Sequence, residues 1–182
     1  MIKGEILGLR AVEKSDLDLL KDWRNLTSFR RNFREVRELN TQNQEVWFER
    51  TNKSGNDFMF VFENIQTGEA MGAGGLLYIN WVIRSADFSF YLGYQEKYID
   101  TEGYAEEAAS LLLQYGFNSL NLNKVWMELY EFDSKKITFF KEKFHFKEDG
   151  CLRDNCFEDG RYWNSFIISL TSNEYSQHKY AQ

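Results

Sequence analysis

Proline is absent from the 182 residues, and cysteine and histidine occur only twice each. Without proline, and with no low-complexity tract or internal repeat, the chain offers no linker at which to divide it, so it reads as one domain over residues 1–182. The histidines, His145 and His178, do not combine with Cys151 and Cys156 in any zinc-ligand spacing, and no metal site is expected. The two cysteines fall in what reads as a hairpin and are expected as reduced thiols, with a local disulfide as the alternative. No apolar run approaches the roughly 20 residues that a membrane helix needs. The opening Met1-Ile2-Lys3-Gly4-Glu5 has no leader-like apolar stretch, so no membrane partner and a cytoplasmic location are expected. Basic residues are also outnumbered: 22 Lys and Arg stand against 28 Asp and Glu, a net charge of −6. That balance argues against nucleic acid, whose phosphates need clustered cations. It suits an amine or cationic substrate better.

What is present is a core-forming composition, 43% apolar and 17% aromatic. Residues 6–12 alternate as a strand. Ser15, Asp16 and Asp18 then open a helix carrying Leu17, Leu20 and Trp23 at helical spacing. Asn40-Thr41 opens a second helix through Val46, Trp47 and Phe48. Strands follow at 57–63, 71–79 and 84–93, the second interrupted by Gly72, Gly74 and Gly75, which suggests a bulge or a close backbone approach. After a polar loop, Gly103 opens a third helix with Ala105, Ala108, Ala109, Leu112 and Leu113 on its packed side. A strand at 124–130, a helix from Ser134 to Lys143 and two strands around Asp159-Gly160 complete the order. Strand, glycine-led helix, parallel strand is the segment best suited to bind an anion.

Several short motifs recur in fixed order: Leu9-Arg10 then Asp16-Leu17, Trp23-Arg24-Asn25, Trp47-Phe48, Ala86-Asp87-Phe88, Gly103-Tyr104-Ala105-Glu106-Glu107-Ala108, Tyr115-Gly116-Phe117, Glu142-Lys143-Phe144 and Gly160-Arg161-Tyr162. On these the chain resembles the GNAT acyltransferase superfamily, in the branch that holds ribosomal-protein N-terminal and spermidine acetyltransferases. The resemblance implies an α+β fold: a mixed, mostly antiparallel sheet of about seven strands flanked by about four helices. It implies direct acetyl transfer from acetyl-coenzyme A to a primary amine on a protein N-terminus, a polyamine or an amino sugar.

Carried over residue by residue, the resemblance gives Asp87 the place of the catalytic base. Phe90, Tyr91, Leu92 and Gly93 become the strand edge that meets the pantetheine amides. Thr101, Glu102, Gly103, Tyr104 and Ala105 become the loop and helix mouth that hold the diphosphate. In the last helix Ser134 replaces the usual asparagine and Lys141 stands where a proton-donating tyrosine is common. Asp100 and Glu102 replace polar or basic residues and are expected to repel the diphosphate. The segment 27–39, with Phe29, Arg30, Phe33 and Arg34, is expected to shape the acceptor pocket. A non-catalytic binding or regulatory domain on the same scaffold is the alternative reading, motivated by the acidic loop and the missing tyrosine. A monomer or homodimer is expected, with Trp81 and Trp163 as pairing candidates.

Overall fold

The structure is a computed structural model, and it describes residues 1–178. Eight strands form one sheet: β1 (Ile2–Lys3), β2 (Leu7–Ala11), β3 (Phe58–Asn64), β4 (Ala70–Asn80), β5 (Ser85–Leu92), β6 (Lys124–Tyr130), β7 (Lys147–Glu158) and β8 (Arg161–Thr171). Their spatial order is β1-β2-β3-β4-β5-β6-β8-β7. Every neighbouring pair is antiparallel except β5 with β6, which run parallel because α4 crosses between them. The helices are α1 (Leu17–Asn25), α2 (Thr27–Arg30), α3 (Thr41–Lys53), α4 (Tyr104–Gln114), α5 (Ser134–Phe144) and α6 (Ser172–Gln177). The expected mixed, mostly antiparallel sheet is present, with eight strands rather than seven and six helices rather than four. The extra elements, β1, α2 and α6, are two, four and six residues long, too short to leave a periodic signal.

Local chemistry starts and stops these elements. The Asn40 side chain accepts from the Asn43 amide at 2.8 Å and caps α3. Thr171 and Glu174 form a reciprocal capping box on α6. Arg10 on β2 grips Asp16 with two bonds of 2.7 and 2.8 Å and also pairs with Glu63 on β3, tying the entry of α1 to the sheet. His145 ends α5 at a φ of +57°, the left-handed region that favours glycine, and its ring stacks on His178 at 4.1 Å. Both cysteines lie on β7 with free thiols.

The core under α5 is aromatic. Phe140 is fully buried and meets Phe88 edge-on at 5.5 Å and Phe146 at 5.3 Å. Each buried ring contributes about 1.5–3 kcal/mol of apolar transfer. The glycines of β4 mark close approach: a Cβ on Gly75 would lie 2.1 Å from the Phe58 carbonyl oxygen. A second close approach sets the functional end of the molecule. The Trp23 indole covers Gly93 so closely that a Cβ there would sit 1.9 Å from the ring. This contact pins the end of α1 onto the end of β5 and holds the next residue, Arg24, beside the sheet. Gly93→Ala is therefore expected to lower stability by about 1–3 kcal/mol through overpacking. Denaturant unfolding checks this, and an unchanged midpoint would show that the indole moves aside freely.

Candidate active site

β5 and β6 pair over three positions only: Ser85 with Lys124, Ala86 with Val125 and Asp87 with Trp126. Beyond Asp87 the strands separate. β6 stays with β8 and β5 with β4, so the β6-facing edge of residues 88–92 is left without a strand partner. This fork opens into a cleft of about 730 Å³ bounded by α1, the 27–39 segment, α3 and the two strands. The Asn25 side chain fixes that segment, donating to the Leu39 carbonyl at 2.8 Å and accepting from the Leu39 amide at 2.7 Å.

Asp87 sits at the point of the fork and is 6% exposed. Arg34 donates to it at 2.6 Å, and the same guanidinium lies 3.4 Å from Glu128 on β6. Glu128 also accepts from Ser165 and Asn155, each at 2.7 Å. Burial pushes the Asp87 carboxyl up, and Arg34 opposes the rise. A carboxylate with raised basicity at a strand junction is a candidate proton acceptor.

A second charged group occupies the fork itself. Lys136 on α5 is 5% exposed, and its Nζ donates to the Phe90 carbonyl oxygen at 2.5 Å. The Tyr98 hydroxyl lies 3.4 Å from that Nζ and itself donates to Asp133 at 2.7 Å. Burial pulls the Lys136 amine down to about 8, with Asp133 and Asp87 resisting and Arg24 adding to the fall.

The mouth of α4 has the expected glycine: Gly103 adopts a φ of +101°, the left-handed region open to glycine. The Asp100 carboxylate accepts from three amides around it, Glu102 at 2.9 Å, Tyr104 at 3.0 Å and Ala105 at 2.7 Å. Asp100 thus caps the helix mouth from inside the chain, a role the sequence did not suggest, and its negative charge lies at the amides themselves. Glu102 turns away to Lys97, and that pairing holds its carboxyl down. Thr101 is exposed, and its amide donates to Glu102 at 3.2 Å.

The remaining expected residues divide. The cleft lining includes Phe90 and Tyr91, and Arg34 and Phe33 from the 27–39 segment. Leu92 is closed off, because its N–H and C=O both bond to Tyr98, at 2.9 and 3.1 Å. The Gly93 amide donates to Met71 at 2.9 Å, toward β4 rather than the fork. Ser134 is exposed at the start of α5. Lys141 lies away from the cleft: its ammonium pairs with Glu148 at 3.0 Å and rests over the Phe166 ring. The lysine that enters the fork is Lys136, because residues 136, 140 and 144 form the buried stripe of α5 and 141 does not. That stripe was visible in the sequence as Lys136, Phe140 and Phe144 at four-residue spacing. Phe29 is a core residue, 1% exposed, and not a pocket wall. Glu128 and Arg24, which carry no expected role, both line the cleft. Among the described residues no group of three or more His, Cys, Asp or Glu is arranged to hold a metal ion. No helix among them is long and apolar enough to cross a membrane.

A sheet that forks beside a glycine-led helix, with a buried acid at the junction, defines an acyl-transfer scaffold. Residues 7–142 match the acetyltransferase (GNAT) domain family, and the chain belongs to it; it is an N-acetyltransferase. It is 29% identical over 172 residues to the spermidine N(1)-acetyltransferase of Vibrio cholerae, covering 93% of this chain and 95% of that protein. The crystal structure of the Vibrio cholerae spermidine N-acetyltransferase with CoA and spermine superimposes with a TM-score of 0.84 at 25% identity, covering 93% of this chain and 98% of that one. A dodecameric form of the Vibrio enzyme superimposes with a TM-score of 0.78, also at 25% identity, over 93% and 95% of the two chains.

The buried amine makes stability depend on pH. Lys136 falls from an ordinary 10.5 to about 8 on folding, so between those values the unfolded chain binds more protons. The cost, on the order of 3 kcal/mol, is fully present below pH 8 and is relieved as pH rises toward 10.5. Lys136→Met is therefore expected to exceed the parent in stability at pH 7, with the gap narrowing by pH 10. Urea midpoints across this range check it, and a gap that does not change with pH would contradict it.

Proposed function

We propose that the fork is where this N-acetyltransferase brings acetyl-coenzyme A and a primary amine together, with Asp87 as the base. The observation that carries the reading is the position of Asp87 at the last paired residue of two parting strands. An acid there faces both the open β5 edge and the acceptor cleft. Bound acetyl-coenzyme A supplies an activated thioester, whose thiolate is a good leaving group. The open strand edge at Phe90 and Tyr91 and the amides of Glu102, Tyr104 and Ala105 fit its amides and diphosphate respectively. Asp100 must release those amides for the diphosphate to take them.

The chain's own groups divide the proton work. Asp87 Oδ accepts the proton from the acceptor ammonium, and Arg34 keeps the carboxylate aimed into the cleft. Lys136 Nζ, with an amine pulled to about 8, holds a transferable proton in the fork. It takes the place that the resemblance gave to Lys141. The relatives' substrate makes spermidine one member of the acceptor panel. Their twelve-subunit form sets a third alternative beside monomer and homodimer, which sedimentation distinguishes.

Asp87→Asn is expected to reduce thiol release from acetyl-coenzyme A by about 100-fold or more while leaving calorimetric coenzyme affinity nearly unchanged. Turnover within a few-fold of the parent would remove Asp87 from the role of base. Asp100→Gln removes the internal carboxylate, so coenzyme affinity is expected to rise by about tenfold. The same change is expected to weaken the free protein by about 1 kcal/mol as the helix cap is lost. Unchanged coenzyme affinity would show that the diphosphate does not use this helix mouth.

A further inference from the structure

The cleft is cationic although the chain is acidic. Five cationic side chains line it, Arg24, Arg34, Arg37, Arg50 and Lys136, against three carboxylates, Glu35, Asp87 and Glu128. All three carboxylates are already engaged: Glu35 by Arg37 at 2.6 Å, Asp87 by Arg34 at 2.6 Å, and Glu128 by Arg34 at 3.4 Å. Beyond the one ammonium that meets Asp87, none is left without a cationic partner for the further ammonium groups of a polycation.

The surplus is positive, and Arg24, which is more buried than Arg50 and has only the more distant charge of Glu35 to support it, is the member to follow. Its guanidinium stacks on the Phe33 ring at 4.0 Å, while its Nε is buried with no hydrogen-bond partner. No ion pair to Arg24 exists among the described residues. Burial pulls its proton affinity down, and its charge in turn disfavours the ammonium of Lys136. Arg24 and Lys136 both line the cleft and disfavour each other's charge, and Arg24 has no ion-pair partner there to offset it, so an anion in the cleft would be stabilised by its guanidinium. Trp23 on Gly93 and Asn25 on Leu39 hold the residues on either side of Arg24, so the donor is fixed in place.

We propose that the acceptor is a primary amine that also carries an oxyanion, and that Arg24 binds that oxyanion while the amine reaches Asp87. This rests on the acetyltransferase reading and narrows its substrate class. Arg24 is then a specificity residue of the acceptor cleft. The oxyanion can be a carboxylate or a phosphate, since the planar guanidinium receives either through paired N–H groups.

The test separates this inference from the reading beneath it. Calorimetry with acetyl-coenzyme A alone tests the transferase reading, and absence of binding would overturn that reading and the inference with it. Thiol release is then measured on matched acceptors: lysine against 1,5-diaminopentane, glucosamine 6-phosphate against glucosamine, and spermidine. An anionic member is expected to show a KM about 10- to 100-fold below its matched partner. Arg24→Gln is expected to erase that difference by raising the KM of the anionic acceptor, with kcat and coenzyme affinity changing little. Arg24→Lys, which keeps the charge, restores part of the discrimination, and thermal melts confirm that both variants are folded. The inference is overturned if coenzyme binds and spermidine or 1,5-diaminopentane is the better acceptor, or if no anionic amine is turned over. It is also overturned if Arg24→Gln weakens the coenzyme instead of the acceptor.

Discussion

The parting of β5 and β6 after Asp87 is the constraint on which the site depends. Two parallel strands that stayed paired would bury their edges in each other and leave no cleft. Here three paired residues fix the register, and the aromatic core under α5 keeps the rest of β5 in place after β6 leaves it. The open edge carries a cost in unpaired backbone groups. The chain reduces that cost with its own side chains and loops: Lys136 donates to Phe90, and the Tyr98 segment closes Leu92. The separation of the strands, the buried lysine and the loop that folds back are thus one structural solution.

The charges of the site follow the same logic of internal substitution. Asp100 satisfies the amides of α4, and Arg34 joins the two carboxylates that face each other across the fork. Each of these groups therefore has a partner within the chain, and a ligand that used it would compete with that partner. On the proposed reading, such competition would lower affinity for the cofactor while keeping the free protein folded, because a buried donor left unmade costs more than the net gain of a bond. Arg24 stands apart, with a buried donor that the described residues leave unmatched.

Much of the scaffold was legible where the signal was local. Asn40, Gly103 and the alternating residues of β6 marked their elements because caps and period-two burial act over a few residues. Asp87 was legible only through the resemblance, since an acid within a strand carries no local mark of catalysis. Lys136 and Lys141 show the limit of that method. Matching motifs put a lysine at the tyrosine position, whereas the helical stripe selects a different lysine for the fork. Asp100 was legible as an acid close ahead of α4, but its role as a cap was not. A short carboxylate just ahead of a helix is a cap first, and only the three amide contacts distinguish a cap from a repulsive neighbour. Arg24 and Glu128 gain their meaning from partners that are distant in sequence, which no window along the chain displays.

On the proposed reading the fork and the helix mouth act together as the coenzyme cradle. Amide hydrogen exchange, followed with and without saturating acetyl-coenzyme A, tests it most directly. Slowed exchange confined to residues within 88–91 and 102–105, with β2 and β3 unaffected, is the predicted result. Unchanged exchange at those amides in a protein shown to bind the coenzyme would contradict the account.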